Sequence, residues 1–450
     1  MFFRVIVMSK IKYLFCFVVS ICALNVQGEI ITPQEVPPSP VGEPIPLGTD
    51  GKPIVDISRK LSLEDCINLA LANSPSAVAA QLALQNAHVN LNLSKSQFLP
   101  TASAGFSSQY NMGASVHDYG ASGTSASANL TLSGLTDLAR NVRMKQIEVE
   151  QAELKLQSVK NDLVRTVRKK YYALLAAQRT VDIRIQSREV YEDQYKRTSE
   201  YYRLGLRPKV DVTTAEVNLN NESLRLIRAK NAIKTASASL ANTLGITTPV
   251  TLQVEEDVSF DQPKLTLDEV VKIAYENRPD VQSSALDLRL GNLKVSQAKA
   301  GYLPTLSLSA GYTKSGDSLY LDSENARVGV GIEIPIFNAF KTYNSVKQAN
   351  IALENTRNNS RSLLNNVFLE VQNAYIALDE AQESIPLAEL NAQKAKENME
   401  LARGRYNEGI GDMIELKDAE VAYTDAQISL LTARYDYGAA VADLKQAMGT

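Results

Sequence analysis

The sequence predicts an α+β membrane protein in which four β-strands per chain cross a bilayer and long helices continue from them. Three observations predict this class: an internal twofold repeat, four segments that alternate apolar with small or polar residues, and very long amphipathic stretches. The 450 residues carry a net charge of −3 and are 44% hydrophobic, so the chain can bury a core. A charge so near zero gives no support for nucleic-acid binding by a basic surface, and we expect no nucleic-acid partner.

The internal repeat runs through the chain at one constant offset. Residues 63–75, LEDCINLALANSP, align with residues 267–279, LDEVVKIAYENRP. The same offset pairs Tyr171 with Tyr375. A register that holds over this length indicates two copies of one structural unit.

The composition divides the chain into five segments. They are a signal peptide at 1–28, a proline-rich N-terminal arm at 29–60, repeat 1 at 61–246, a linker at 247–264 and repeat 2 at 265–450. Each repeat is expected to hold a helix, a β-hairpin, a long helix, a tip and a return helix. The hairpins are predicted at about 101–134 and about 305–337, and the tips near residues 205 and 409.

The N-terminus is typical of a secretory signal peptide. Basic residues precede an apolar run at 13–24, and small residues near Gly28 suit cleavage. An uncleaved anchor is the alternative, although the run is short for a membrane-spanning helix. Lipid attachment at Cys22 is less favoured because bulky Ile21 precedes it.

Removal of the signal peptide leaves Cys66 as the single cysteine, so no internal disulfide is expected. Cys66 lies among Leu63, Ile67 and Leu71, which recur at helical spacing. This pattern predicts a buried, apolar thiol in preference to a reactive one.

The four predicted strands are apolar on one face and small or polar on the other. In repeat 2, for example, Leu306 and Leu308 alternate with Ser307 and Ser309. A half-buried soluble sheet has this pattern, and so does a transmembrane barrel with its apolar face toward lipid. Aromatic residues flank the strands and are expected either as an interfacial girdle or as packing at the strand ends: Phe98, Tyr302, Phe337 and Phe340.

Four strands cannot close a barrel, and open sheet edges are not viable in lipid. Strands must therefore be pooled between chains. Two chains would give eight strands around an interior filled with side chains, whereas three would give twelve around water. The polar face favours a homotrimer with a twelve-stranded transmembrane β-barrel.

The stretch after each hairpin predicts a very long helix with a narrow apolar stripe. The stripe includes Leu163, Val167 and Tyr171 at spacings of four residues, with charged residues on the remaining faces. This pattern is typical of lateral coiled-coil packing. It predicts a long α-helical coiled-coil barrel below the β-barrel. A kink is expected at Pro386 in the second long helix.

The tips follow the long helices, and a glycine in each supplies a left-handed C-cap. They comprise Leu204, Gly205, Leu206, Arg207 and Pro208 in repeat 1, and Glu408, Gly409, Ile410, Gly411 and Asp412 in repeat 2. Return helices are expected to start near Val210 and Ile414. The acids after the tips, Asp211, Glu415 and Asp418, either complement a helix dipole or ring a cation-selective pore end.

With the repeat, the strands, the long helices and these tips, the sequence resembles the TolC family of outer-membrane efflux and secretion channels over about residues 61–449. The resemblance implies a trimer in the lipid of the outer membrane, with the helical part in the periplasm. It also implies opening by a periplasmic adaptor protein and an inner-membrane pump, which would dock at the tips.

The resemblance also assigns roles within the tips. Asp211, Tyr406, Glu415 and Asp418 fall on positions associated with the closed gate, Tyr406 as a hydrogen-bond candidate. Gly411 departs from the pattern, because the best-known member places a locking arginine there. Arg207 in the other tip is the candidate replacement.

The leading functional prediction is a passive conduit of a tripartite efflux or type I secretion system. No GxxxxGK loop is present, so energy must come from a partner, and no cofactor or metal is expected. An enzyme is disfavoured because His88 and His117 lack companions at useful spacing. A soluble or cell-surface coiled-coil structural protein is the alternative. The cargo stays open among drugs, metal ions and polypeptides.

Overall fold

A computed structural model describes six stretches of the chain: 60–99, 101–109, 121–246, 251–256, 265–316 and 323–450. All of them belong to the unit that spans Pro53–Thr450. The predicted signal peptide at 1–28 with Cys22, the predicted arm up to residue 59, most of the linker at 247–264, and His117 lie outside the described residues.

The described elements form two sets in the same order. The first set is α1 (Leu63–Asn73), α2 (Pro75–Ser96), β1 (Thr101–Gln109), β2 (Ala121–Ser133), α3 (Leu135–Arg203) and α4 (Lys209–Thr243). The second set is α5 (Leu267–Asn277), α6 (Pro279–Ala300), β3 (Thr305–Gly316), β4 (Ser323–Glu333), α7 (Lys341–Asn407) and α8 (Met413–Met448).

Two helices precede each hairpin, where the sequence predicted one. Ser74 and Arg278 adopt extended backbone conformations, and the proline that follows each of them opens the next helix. The proline ring disfavours a helical conformation in the residue before it, yet a proline fits well in a first helical turn. The break was therefore readable from the Ser-Pro and Arg-Pro pairs.

The strands form one antiparallel sheet in the order β1-β2-β3-β4. The hairpins are joined because β2 pairs with β3, for instance at Leu130 and Ala310. The register keeps the predicted faces, since Leu308 lies opposite Val330 and residue 309 opposite residue 329. The apolar face is exposed in the single chain, and 70% of Val330 is accessible.

Phe337 and Phe340 follow β4, are exposed, and meet edge to face with ring centroids 5.9 Å apart. Whether they belong to an interfacial girdle stays a prediction. Among the described helices, none combines the length and the apolar character that a bilayer-crossing helix requires.

The long helices are as predicted. Helix α3 has 69 residues and a length of about 100 Å. Helix α7 runs without a break through Pro386, and the expected kink there stays a prediction. The polypeptide returns from each as a helix packed on the same long helix, α4 on α3 and α8 on α7.

Two apolar clusters hold the short helices against the long ones. The first contains Val167 and Tyr171 of α3, Leu240 of α4 and Cys66 of α1. The second cluster contains the residues at equivalent positions of the second set of elements, from α5, α7 and α8. The predicted stripe on α3 is thus buried. The prediction for Cys66 is also confirmed, because burial raises the pKa of its thiol to about 12.

Candidate functional site at the helical tips

Glycines reverse the chain at both tips. Gly205 has φ +73° and Gly409 has φ +77°, a left-handed conformation that costs little only without a Cβ. The Leu206 amide donates to the carbonyl oxygen of Tyr201 at 2.8 Å, which satisfies a free carbonyl at the end of α3. The predicted glycine caps are therefore present in both repeats.

The return helices begin one residue before the positions predicted for them, at Lys209 and Met413. Asp412 caps α8, since its carboxylate accepts a hydrogen bond from the Glu415 amide at 2.7 Å. Helix α4 follows Pro208, and the Asp211 amide donates to the Pro208 carbonyl oxygen at 3.1 Å. A side-chain carboxylate thus caps the start of α8, whereas α4 starts with a hydrogen bond between backbone groups.

Arg207 of the first tip contacts Tyr406 in the last turn of α7. The Arg207 guanidinium lies 4.9 Å from the centre of the Tyr406 ring. A nitrogen of the same guanidinium is 3.9 Å from the Asp211 carboxylate. Tyr406 is buried with 6% of its surface accessible, and its hydroxyl finds no hydrogen-bond partner among the described residues. Arg207, Asp211 and Tyr406 therefore meet at one place.

The other two acids lie apart from this contact. Glu415 is 3.5 Å from the Arg405 guanidinium, and Asp418 is 3.3 Å from the Lys417 ammonium. Both carboxylates are well exposed, so these pairs contribute little to stability. Within the described part of the chain, no hydrogen bond or ion pair joins Glu415 or Asp418 to Asp211.

The backbone around Gly411 leaves little room for a side chain. Its amide donates to the Arg405 carbonyl oxygen at 3.0 Å. A Cβ at this position would lie 3.1 Å from the Arg405 Cβ and 3.2 Å from the Tyr406 nitrogen. Any side chain there would require the tip to shift by a few tenths of an ångström.

The tips present apolar side chains to solvent. Leu204, Leu206 and Ile410 are exposed, the last with 75% of its surface accessible. Val210 and Ile414, at the starts of the return helices, extend the same apolar surface and were not among the predicted docking residues. An exposed apolar patch of this kind often marks an interaction site.

Within the part of the chain that the structure describes, His88 offers no second site. His88 is exposed on α2. Among the residues that the structure describes, no group of three or more His, Cys, Asp or Glu side chains is placed to hold a metal ion.

Solved structures with the same fold are outer-membrane channels. The CmeC outer membrane channel of Campylobacter jejuni matches with a TM-score of 0.77 and 19% identity, covering 86% of this chain and 85% of that one. The open state of the MtrE outer membrane channel of Neisseria gonorrhoeae matches with a TM-score of 0.72 and 18% identity, covering 86% and 88%. This chain therefore shares the fold of these two channels.

Sequence comparisons agree with the fold. Outer membrane protein TolC of Escherichia coli (strain K12) is 22% identical over 430 residues, which are 89% of this chain and 87% of TolC. The probable efflux pump outer membrane protein TtgC of Pseudomonas putida (strain KT2440) is 23% identical over 401 residues, 86% of this chain and 83% of that protein.

The family model for outer membrane efflux proteins matches residues 66–246 and 270–450, and the chain belongs to this family. The resemblance noted from the sequence is thereby confirmed. The family comprises outer-membrane channels, not enzymes, and the alternative of a coiled-coil structural protein is not favoured.

Proposed function

We propose that this protein is the outer-membrane channel of a tripartite efflux or type I secretion system and acts as a passive conduit. The observation that carries the proposal is the sheet. Its apolar face is exposed, and its strands β2 and β4 are each followed in the chain by a long helical hairpin. In this arrangement the sheet lies in the outer membrane and the helices in the periplasm.

The sheet supports a trimeric barrel. Its exposed apolar side chains suit lipid, and its opposite face carries serine, threonine and glycine that suit water. In the single chain β1 and β4 are the edges of the sheet, and open edges are not viable in a bilayer. Three chains close a twelve-stranded barrel that leaves room for water. The two sets of elements are copies of one duplicated unit.

The helices support a periplasmic tunnel. Each chain supplies two helical hairpins with narrow buried stripes and charged outer faces. Three chains would pack these hairpins side by side into a coiled-coil barrel around a wet interior.

The tips support a gate. The Arg207 guanidinium bridges Tyr406 and Asp211, and so holds the two hairpins of one chain together at the end farthest from the strands. In a trimer the exposed Glu415 and Asp418 would repeat three times around the axis and favour cations. Arg207 thus takes the locking role for which Gly411 has no side chain.

The apolar tips support docking of a periplasmic adaptor and an inner-membrane pump. The docking residues are Leu204, Gly205, Leu206, Arg207 and Pro208, with Glu408, Gly409, Ile410, Gly411 and Asp412. Relatives include efflux pump components and the alkaline protease secretion protein AprF of Pseudomonas aeruginosa. The cargo of this chain is therefore left open between small molecules and polypeptides.

The test compares two charged substitutions on opposite faces of the sheet. Val330→Arg places a charge toward lipid, which costs about 2–4 kcal/mol at the bilayer midplane. Ser309→Arg places the same charge toward the lumen. We expect Val330→Arg to impair membrane insertion, and Ser309→Arg to insert and lower the cation conductance of planar bilayers.

The oligomeric state is measured on the same preparations by native mass spectrometry in mild detergent. A trimer with step-like conductance supports the proposal. A monomer, or a protein that salt and carbonate release from membranes with both variants unaffected, contradicts it.

A further inference from the structure

Two glutamates on the return helices are buried between the helical hairpins, away from the tips. Glu222 of α4 has 2% of its surface accessible and Glu420 of α8 has 5%. Glutamates are almost never this buried unless they are paired. The two carboxylates are therefore unusual features of the helical packing.

The two carboxylates are not paired with arginines to the same extent. Both oxygens of Glu222 face arginines, Arg184 at 3.2 Å and Arg225 at 3.4 Å. Glu420 has one oxygen 3.4 Å from the Arg403 guanidinium. Its second oxygen is buried and has no hydrogen-bond partner among the described residues. A buried charge that is only half paired is costly.

The described residues whose charges interact with Glu420 are Arg403 of α7 and Tyr191 of α3. Tyr191 in turn interacts with Glu222 and Arg225 of α4 and with Arg184 of α3. Burial raises the pKa of Tyr191, and the neighbouring charges of Glu420 and Glu222 raise it further. Tyr191 thus interacts with both carboxylates, and a phenol cannot supply a positive charge to either.

We propose that Glu420 is a proton-binding site that couples the packing of α8 against α3 to pH. With the proton bound, the carboxyl group is neutral and α8 remains packed. When the proton leaves to solvent, the carboxylate gains by reaching water, and the separation of α8 from α3 is favoured.

The direction of this pH effect follows from the change that burial makes to the pKa of Glu420. Burial raises the pKa of Glu420 to about 7 from 4.5, and the Arg403 charge offsets only part of this rise. The packed conformation therefore binds the proton more tightly than one in which Glu420 is exposed. The free-energy bias toward separation is absent below pH 4.5, the ordinary pKa of an exposed glutamate. It grows as pH rises toward about 7, and it is constant above that pH.

Helix α8 begins at the second tip and carries Glu415 and Asp418. If the proposed channel function holds, proton loss at Glu420 loosens the element that carries the tip acids. Acid would then favour the closed tip, and neutral pH would favour opening. This last step rests on the proposed function, whereas the proton site does not.

The chain contains no tryptophan, so one introduced indole reports from a single position. Tyr195, one turn from Tyr191 on α3, packs against a cluster that includes Met399 of α7 and Leu416 of α8. In full-length Tyr195→Trp protein in detergent, we expect the emission to shift to the red between pH 5 and pH 8. Adding Glu420→Gln should abolish the shift, and adding Glu222→Gln should retain it.

Hydrogen exchange provides a second measurement if the tryptophan variant fails to fold. Peptides from residues 413–430 are compared at pH 6 and pH 8 after correction for the intrinsic rate. In the natural sequence we expect protection to be about tenfold weaker at pH 8 than at pH 6. This factor corresponds to a change of one pKa unit in the free energy of separating α8 from α3. The difference should vanish in Glu420→Gln.

A pH response that is equal with and without Glu420→Gln, or absent from the natural sequence, overturns the proton site. Neither readout requires conductance. Loss of channel activity with an intact pH-dependent emission shift would therefore contradict the proposed channel function. Normal channel activity without any pH-dependent shift would contradict the proton site.

Discussion

The Arg207 guanidinium lies over the ring of Tyr406, 4.9 Å from its centre. The two residues belong to different hairpins, because Arg207 follows α3 and Tyr406 lies in the last turn of α7. A cation over a buried aromatic ring contributes about 0.5–2 kcal/mol. This contact ties the first tip of the chain to the end of the second long helix.

Replacing Arg207 with glutamine should loosen that tie. Since 1 kcal/mol changes an equilibrium about fivefold, we expect a severalfold rise in open probability. Single-channel recording in planar bilayers measures it. Arg203→Gln is the matched control, because Arg203 is exposed and pairs with Glu200 on its own helix. An equal effect of both changes would contradict the tie.

Removal of the exposed tip acids tests the proposed cation ring. In Glu415→Ala with Asp418→Ala, we expect a higher single-channel conductance and weaker selectivity for cations over anions. The loss of selectivity should be largest at low salt, where exposed charges are least screened. Asp268→Ala, in the first turn of α5, is the control. Unchanged reversal potentials would remove these acids from the gate.

The glycine caps make a prediction about stability. Gly409→Ala places a Cβ at φ +77° and should cost about 1–2 kcal/mol. Gly404 lies inside α7 with open space where a Cβ would be. Gly404→Ala should therefore stabilise the helix by about 0.5–1 kcal/mol. Opposite shifts in Tm are the expected result, and shifts of the same sign would contradict the argument.

A second stability test concerns Tyr171 on α3. Its hydroxyl donates its one hydrogen to the Glu255 carbonyl oxygen at 2.7 Å and lies 3.2 Å from the Leu61 carbonyl oxygen, and so ties a segment distant in sequence to the long helix. Tyr171→Phe should lower the free energy of unfolding by about 1 kcal/mol, measured by denaturant titration. Tyr375→Phe is the control, since its hydroxyl makes no hydrogen bond within the described residues, and an equal loss there would show that ring packing alone matters.

Most of the fold was readable from local patterns. The alternation around Leu308 predicted both the strand and its faces, and the stripe through Val167 predicted the buried seam of α3. The pairing of β2 with β3 was not predictable, because it joins segments far apart in sequence and has no turn signal. The helix break before Pro75, where a single helix was predicted, follows from the Ser-Pro pair.

The candidate site was predicted only in outline. Glycine and acid positions located the tips, since caps depend on a few neighbouring residues. The approach of Arg207 to Tyr406 depends on how two hairpins pack, and no local pattern encodes that distance. The burial of Glu420 was not predictable, because it cannot be read from a single glutamate on a long helix.

The order β1-β2-β3-β4 leaves β1 and β4 as the edges of each chain's sheet, and these two strands run in opposite directions. In the proposed trimer every junction between subunits therefore joins a β4 to a β1 with the same antiparallel geometry found inside each chain. An even strand count per subunit allows the ring to close without a single parallel pair. A variant with three or five strands could not be assembled from identical copies in this way.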